Sequence, residues 1–123
     1  MEPRCYTIPM RGMPKARPRC IIIGMFARLL TPEKYRKWLK DCANLVKLQK
    51  PTLMKGDLIM FADFYLTTRA GVKPDADNLA GGLMDAIEGI CYENDRQIIE
   101  LHSRRIYPAF VDEIKLRLVS PDV

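Results

Sequence analysis

Leu58-Ile-Met-Phe-Ala-Asp-Phe-Tyr-Leu-Thr67 is a run of apolar and aromatic side chains interrupted by one charge, Asp63. Aromatic and β-branched residues suit a pleated surface, and apolar residues at both odd and even positions call for cover on both faces. The stretch therefore predicts a long strand, mostly covered on both sides, at the centre of a sheet that helices shield.

Upstream of this strand a helix announces itself. Thr31 can cap, Pro32 suits the first helical position, and Glu33 suits the positive end of the helix dipole. Tyr35, Trp38, Leu39, Cys42, Leu45 and Val46 then recur at helical spacing as one buried stripe, with Lys34, Lys37, Lys40 and Lys47 on the opposite side. Lys50-Pro51 ends the segment. Before the helix, Cys20 to Met25 predicts a buried strand. The first nineteen residues interleave Pro3, Pro9, Pro14 and Pro18 with Arg4, Arg11, Lys15, Arg17 and Arg19, which favours an extended basic arm holding one short strand around Cys5 to Ile8.

Downstream, Arg69-Ala-Gly71 marks a loop, and a second helix is expected from about Asn78 to Glu88. Its apolar side is Leu79, Leu83, Ala86, Ile87 and Ile90, and Gly89 is placed to stop it. Gln97 to Tyr107 reads as a strand. In the last strand Ile114, Leu116 and Leu118 alternate with Lys115 and Arg117. With no internal repeat or linker, residues 1–123 form one expected domain, arm included. The class is α+β, a small mixed or antiparallel sheet with two main helices packed on it.

A chain of 123 residues with 48% hydrophobic residues buries enough surface to fold without a metal or disulfide staple. Its net charge of +5 is unevenly spread. Residues 1–40 carry ten Lys or Arg against Glu2 and Glu33, a balance of +8 that leaves −3 for the remainder. A basic half can gather phosphates beside an acidic half that holds a cation, although the same asymmetry also serves as a solvated surface. Cys5, Cys20, Cys42 and Cys91 form no C-x-x-C pair and His102 is the sole histidine, which excludes an ordinary zinc site. The apolar run Cys20 to Phe26 is too short to span a bilayer, and nothing at the start resembles a signal peptide. The expected setting is reducing cytoplasm, with free thiols and no membrane.

The chemistry concentrates in Lys73-Pro-Asp-Ala-Asp-Asn-Leu79 and in Asn94-Asp95, eighteen residues after Asp77. In an extended segment residues i and i+2 point to one side, so Asp75 and Asp77 can converge. The helix and the turn after it can bring Asp95 back to them. Three gathered carboxylates repel one another unless a cation compensates. Magnesium is the natural partner for a few hard oxygens, and its bound water becomes a better nucleophile. The plainer readings are an N-cap role for Asp77 and a turn role for Asp95, and D-x-D pairs also occur in glycosyltransferases and phosphate-handling enzymes.

The blocks Lys73-Pro-Asp-Ala-Asp-Asn-Leu79, Leu83-Met-Asp-Ala-Ile-Glu-Gly89 and Tyr92-Glu-Asn-Asp-Arg-Gln-Ile98, with Pro14-Lys-Ala-Arg-Pro-Arg19 and Thr31-Pro-Glu-Lys-Tyr-Arg-Lys-Trp38 upstream, resemble the RusA family of Holliday junction resolvases. The resemblance covers most of the chain. It implies a RusA-like fold and a homodimeric, magnesium-dependent endodeoxyribonuclease, manganese able to substitute, that nicks opposed strands of four-way DNA junctions in recombination and repair. It also implies that Asp75, Asp77 and Asp95 are the catalytic, metal-binding residues. Asp85 and Asn78 then support them from behind, and Arg11, Lys15, Arg17, Arg19 and Lys73 contact DNA. Phage or prophage origin is compatible with it.

One departure stands out. The family usually carries a lysine four residues after the second Asp, where this sequence has Gly81, followed by Gly82. Two helical glycines cost on the order of 1 kcal/mol each relative to alanine, so close approach of backbone or tight packing should favour them. Lys73 or a basic residue of the arm can supply the missing cation. His102 reads as a surface strand residue and Trp38 as core. Two rival functions remain at this point: a structure-specific DNA-binding protein with weakened or lost cleavage, and a magnesium enzyme acting on free nucleotides or sugar nucleotides.

Overall fold

The apolar run forms β4 (Leu58–Tyr65), the strand in a four-stranded sheet that pairs with both β5 (Ile98–Ile106) and β6 (Glu113–Val119). A computed structural model describes residues 2–16, 19–23, 26–30, 32–68 and 75–121, with side chains for all of these but 19–23 and 26–30. The sheet order is β1-β6-β4-β5, where β1 is Arg4–Ile8. β4 runs parallel to β5 and antiparallel to β6, and β1 closes the far edge antiparallel to β6. Parallel neighbours need a crossover. Here it contains α2 (Ala76–Ile87) and a short 3-10 turn, Asp95–Gln97. α1 (Glu33–Lys47) packs beside α2 and against β1. The sheet is mixed and carries two helices, the expected α+β arrangement.

Burial follows the strand period. Leu58, Met60, Ala62 and Phe64 of β4, Tyr6 and Ile8 of β1, and Ile114, Leu116 and Leu118 of β6 form one core with Tyr35, Trp38, Cys42 and Val46 of α1 and Leu79, Leu83 and Ile87 of α2. Each fully buried aliphatic side chain contributes roughly 1.5–3 kcal/mol of transfer free energy. The expectation that β4 is covered on both faces needs correction. Ile59, Phe61, Asp63 and Tyr65 are only half-buried, because no helix among the described residues lies over them. Long cations do part of the covering. The Arg117 guanidinium stands 4.3 Å from the Phe61 ring centre, the Lys115 ammonium 5.3 Å from that of Tyr65, and Arg104 pairs with Asp63 at 2.8 and 2.9 Å. His102, exposed as expected, stacks on Phe61.

Other boundaries shift. The predicted strand at Cys20 to Met25 is β2 (Arg19–Ile23), and Met25 lies outside the described residues. It pairs with β3 (Phe26–Leu30), which has no counterpart among the predicted strands, and the two make a separate hairpin. The short strand expected around Cys5 to Ile8 is present as β1, an edge strand with Tyr6 and Ile8 in the core, and Pro9 to Ala16 runs as irregular chain. The expected cap Thr31 and the loop Arg69-Ala-Gly71 lie outside the described residues. α2 begins before Asn78, and Gly89, at φ 81°, follows it in the left-handed conformation that favours glycine.

Arg11 ties the arm to the end of β4, with one guanidinium nitrogen 2.9 Å from the Thr68 carbonyl oxygen and another 3.3 Å from Asp112 Oδ1. That Asp112 oxygen also accepts the Thr67 backbone N–H at 2.8 Å and its hydroxyl at 3.1 Å. The Thr67 N–H foremost, then its hydroxyl and Arg11, hold the Asp112 carboxyl below the ordinary carboxylate range. A folded-state pKa below the unfolded value contributes stability that is present above about pH 3.9 and is lost as pH falls through the folded value. The wild-type melting temperature is therefore expected to fall more steeply below about pH 4 than that of Asp112→Asn. Parallel acid-melting curves for the two would contradict this role.

Candidate active site

α2 carries the acidic residues in a line. Asp75 sits at its N-cap in extended conformation, with no hydrogen bond from its side chain to the helix, and Asp77 lies in the first turn. Both are exposed, and neither side chain makes a hydrogen bond or ion pair among the described residues. The capping reading of Asp77 therefore does not hold. Asp77, Gly81 and Asp85 follow at i, i+4 and i+8 along one side of the helix. Eight residues advance about 12 Å along the axis.

Asp95 stands at the other end of that line. Asn94 accepts the Arg96 N–H at 2.8 Å, and Gln97 Oε1 accepts the N–H groups of Glu93 and Asn94, a capping box that builds the 3-10 turn. The Gln97 amide nitrogen donates to the carbonyls of Met54 and Gly56 and so fastens the turn to the chain before β4. The Asp95 N–H donates to Glu88 Oε2 at 2.9 Å, and its Oδ1 accepts the hydroxyl of the buried Tyr92 at 2.8 Å. Burial raises the Asp95 carboxyl above its ordinary range. Tyr92 and Lys15 pull it down, while the charges of Glu88 and Asp85 push it up.

The structure thus brings Asp95 beside Glu88 and Asp85, and leaves Asp75 and Asp77 at the opening of α2. Among the described residues no three His, Cys, Asp or Glu side chains stand together as a metal-holding group. Topology explains why. α2 runs back along the parallel pair, so the residue that starts it and the turn that follows it lie at opposite ends of the helix. In chemistry the donor set still fits a hard divalent cation, since Asp75 and Asp77 are uncommitted and Asp95 Oδ2 takes no hydrogen bond among the described residues. The negative surplus around Asp95 is one that a cation would relieve.

Asp85 holds a basic side chain, as its second-line role implied. Its Oδ2 accepts the Tyr35 hydroxyl at 2.6 Å and its Oδ1 lies 3.2 Å from Lys15 Nζ. The Tyr35 phenol is raised by burial first and by Asp85 second. Asn78 contributes through its backbone, its carbonyl accepting the Lys15 N–H at 2.9 Å. Trp38, buried as expected, donates its indole N–H to the Arg11 carbonyl at 2.8 Å, so α1 braces both the arm and Asp85. Of the expected DNA contacts, Arg11 is engaged with Thr68 and Asp112, the Arg19 side chain is not described, and Arg17 and Lys73 lie outside the described residues. Glu88, Tyr92 and Tyr35 were not anticipated as parts of the site. A tyrosine three residues before an acid in a turn is the one local signal that pointed to Tyr92.

A concavity of about 510 Å³ on the open face of the sheet, lined by Phe61, His102, Lys115 and Arg117 among others, includes none of these acids. No helix among the described residues is long and apolar enough to cross a membrane. The family model described as Endodeoxyribonuclease RusA matches residues 9–117. No curated protein matches the chain.

Proposed function

Because the chain belongs to the RusA endodeoxyribonuclease family, we propose that it is an intracellular, magnesium-dependent resolvase that cuts four-way and related branched DNA by paired nicks. The observation that carries the reading is the row Asp77, Asp85 and Asp95 along α2, with exposed, uncommitted carboxylates at its opening and a basic arm laid beside it. Asp75 and Asp77 would hold an ion, magnesium or, in its place, manganese, at the opening of α2, and Asp95 would hold one at the far end, where Glu88 and Asp85 add negative charge. When bound, the ion supplies a more acidic water and neutralises charge on a phosphodiester in flight.

The chain's own residues do the rest. The arm and the exposed lysines of α1, Lys34, Lys37, Lys40 and Lys47, collect phosphates with strong salt dependence. Tyr92 and Glu88 fix the orientation of Asp95 through the two hydrogen bonds it makes. A two-fold dimer presents two such sites to a junction of approximate two-fold symmetry.

The test is a labelled synthetic four-way junction set beside linear duplex of the same sequence, with and without magnesium. Symmetric nicks that leave 5′-phosphates, confined to the junction and absent without the ion, are expected. Tight junction binding with no nick under any divalent ion would replace this reading with the DNA-binding one.

A further inference from the structure

Gly81 and Gly82 interrupt the acidic side of α2 with two missing side chains, and the arm occupies the space. A Cβ at Gly82 would stand 2.3 Å from the Met13 carbonyl oxygen, and a Cβ at Gly81 would meet the Cβ and Cδ of Lys15, each at 3.3 Å. The Lys15 N–H is fastened to the Asn78 carbonyl at 2.9 Å. The glycine pair is therefore a seat. It lets the backbone of Met13 to Lys15 lie directly on the helix, and the Lys15 stem crosses where the side chain of residue 81 would be.

The seat delivers a cation into the row of acids. Lys15 Nζ lies 3.2 Å from Asp85 Oδ1, and Asp85 is itself fixed by the Tyr35 hydroxyl at 2.6 Å. The lysine side chain nevertheless keeps 55% of its surface open, so its ammonium has donors left for another partner. Asp77 is one helical turn before Gly81 and Asp85 one turn after it, which puts Lys15 between them. An unrelieved line of carboxylates repels a phosphodiester. An ammonium in its middle admits one and can follow charge as it develops on the reacting phosphate.

We propose that Lys15, held over Gly81 by the glycine seat, is the cation that receives the scissile phosphate in this site. The inference rests on the nuclease reading and adds a residue to it. Asp85 acts as the positioning residue, holding the ammonium beside the row.

Single-turnover nicking and junction binding, measured together for four proteins, test it. Lys15→Gln keeps most of the stem and the backbone bond but removes the charge, and is expected to slow nicking about a hundredfold with junction affinity within about threefold of wild type. Lys15→Ala is expected to slow nicking as much. Lys15→Ala/Gly81→Lys returns an ammonium from the helix side, the new Cβ meeting only the remaining Cβ of residue 15, and is expected to recover about a tenth of the wild-type rate or more. A purely packing role would leave Lys15→Gln, which keeps most of the stem, at the wild-type rate. Wild-type rates in Lys15→Gln, or no gain in the double variant over Lys15→Ala, would overturn the role of Lys15 while leaving the nuclease intact. A wild-type protein that binds the junction and never nicks it overturns the functional reading, and this inference with it.

Discussion

Asp77→Asn is expected to lower single-turnover nicking of a four-way junction on the order of a thousandfold while leaving junction affinity the same or slightly tighter. The substitution keeps the shape of the side chain and removes its charge. Asp77 is exposed and makes no hydrogen bond or ion pair among the described residues, so folding should change by less than about 0.5 kcal/mol. DNA binding loses nothing, because a carboxylate beside a phosphate opposes binding. The whole effect therefore falls on the chemical step, which separates this acid from one that serves stability. Nicking at the wild-type rate would remove Asp77 from the chemistry.

Gly82→Ala is expected to destabilise the fold by about 2 kcal/mol, a fall of roughly 8 °C in melting temperature for a domain of this size. The added methyl would meet the Met13 carbonyl oxygen at 2.3 Å, and that oxygen is backbone. It cannot swing aside as a side-chain tip can. The arm must lift, which strains the Lys15 N–H bond to Asn78 and the Trp38 bond to Arg11. Gly81→Ala is the internal control. Its methyl meets only the Lys15 side chain at 3.3 Å, and alanine gains about 1 kcal/mol of helix propensity. Thermal melts should place Gly81→Ala at or above wild type and Gly82→Ala well below it. Equal melting temperatures for the two variants would refute the seat.

Features set by local spacing were legible in the sequence. The α1 stripe of Tyr35, Trp38, Cys42 and Val46 is buried as its period requires, and the alternation of Ile114, Leu116 and Leu118 with Lys115 and Arg117 gives β6. Features that depend on which segments meet were not. β3 escapes the sequence reading because Phe26-Ala-Arg-Leu-Leu30 lacks alternation and the two-residue spacer Gly24-Met25 is absorbed into the apolar run before it, so its strand character shows only in its pairing with β2. The open face of β4 was misjudged because its cover comes from cations on β5 and β6.

The site shows the same division. Asp75, Asp77 and Asp95 stand out in the sequence as acids in a telling order, but their spacing in space depends on α2 running back along the parallel pair. The glycine pair signalled that something approaches the helix closely. That the visitor is Met13 to Lys15 is a long-range fact, fixed by the path of the arm over α2.

Manganese binding tests most directly whether both ends of α2 hold metal. Titration of junction-bound wild type, Asp77→Asn and Asp95→Asn, followed by the electron paramagnetic resonance of free manganese, should show each substitution weakening manganese binding at its own end of the helix by about tenfold or more. Undiminished manganese binding in Asp95→Asn would contradict a metal at the far end of α2 and leave Asp95 to its contacts with Tyr92 and Glu88.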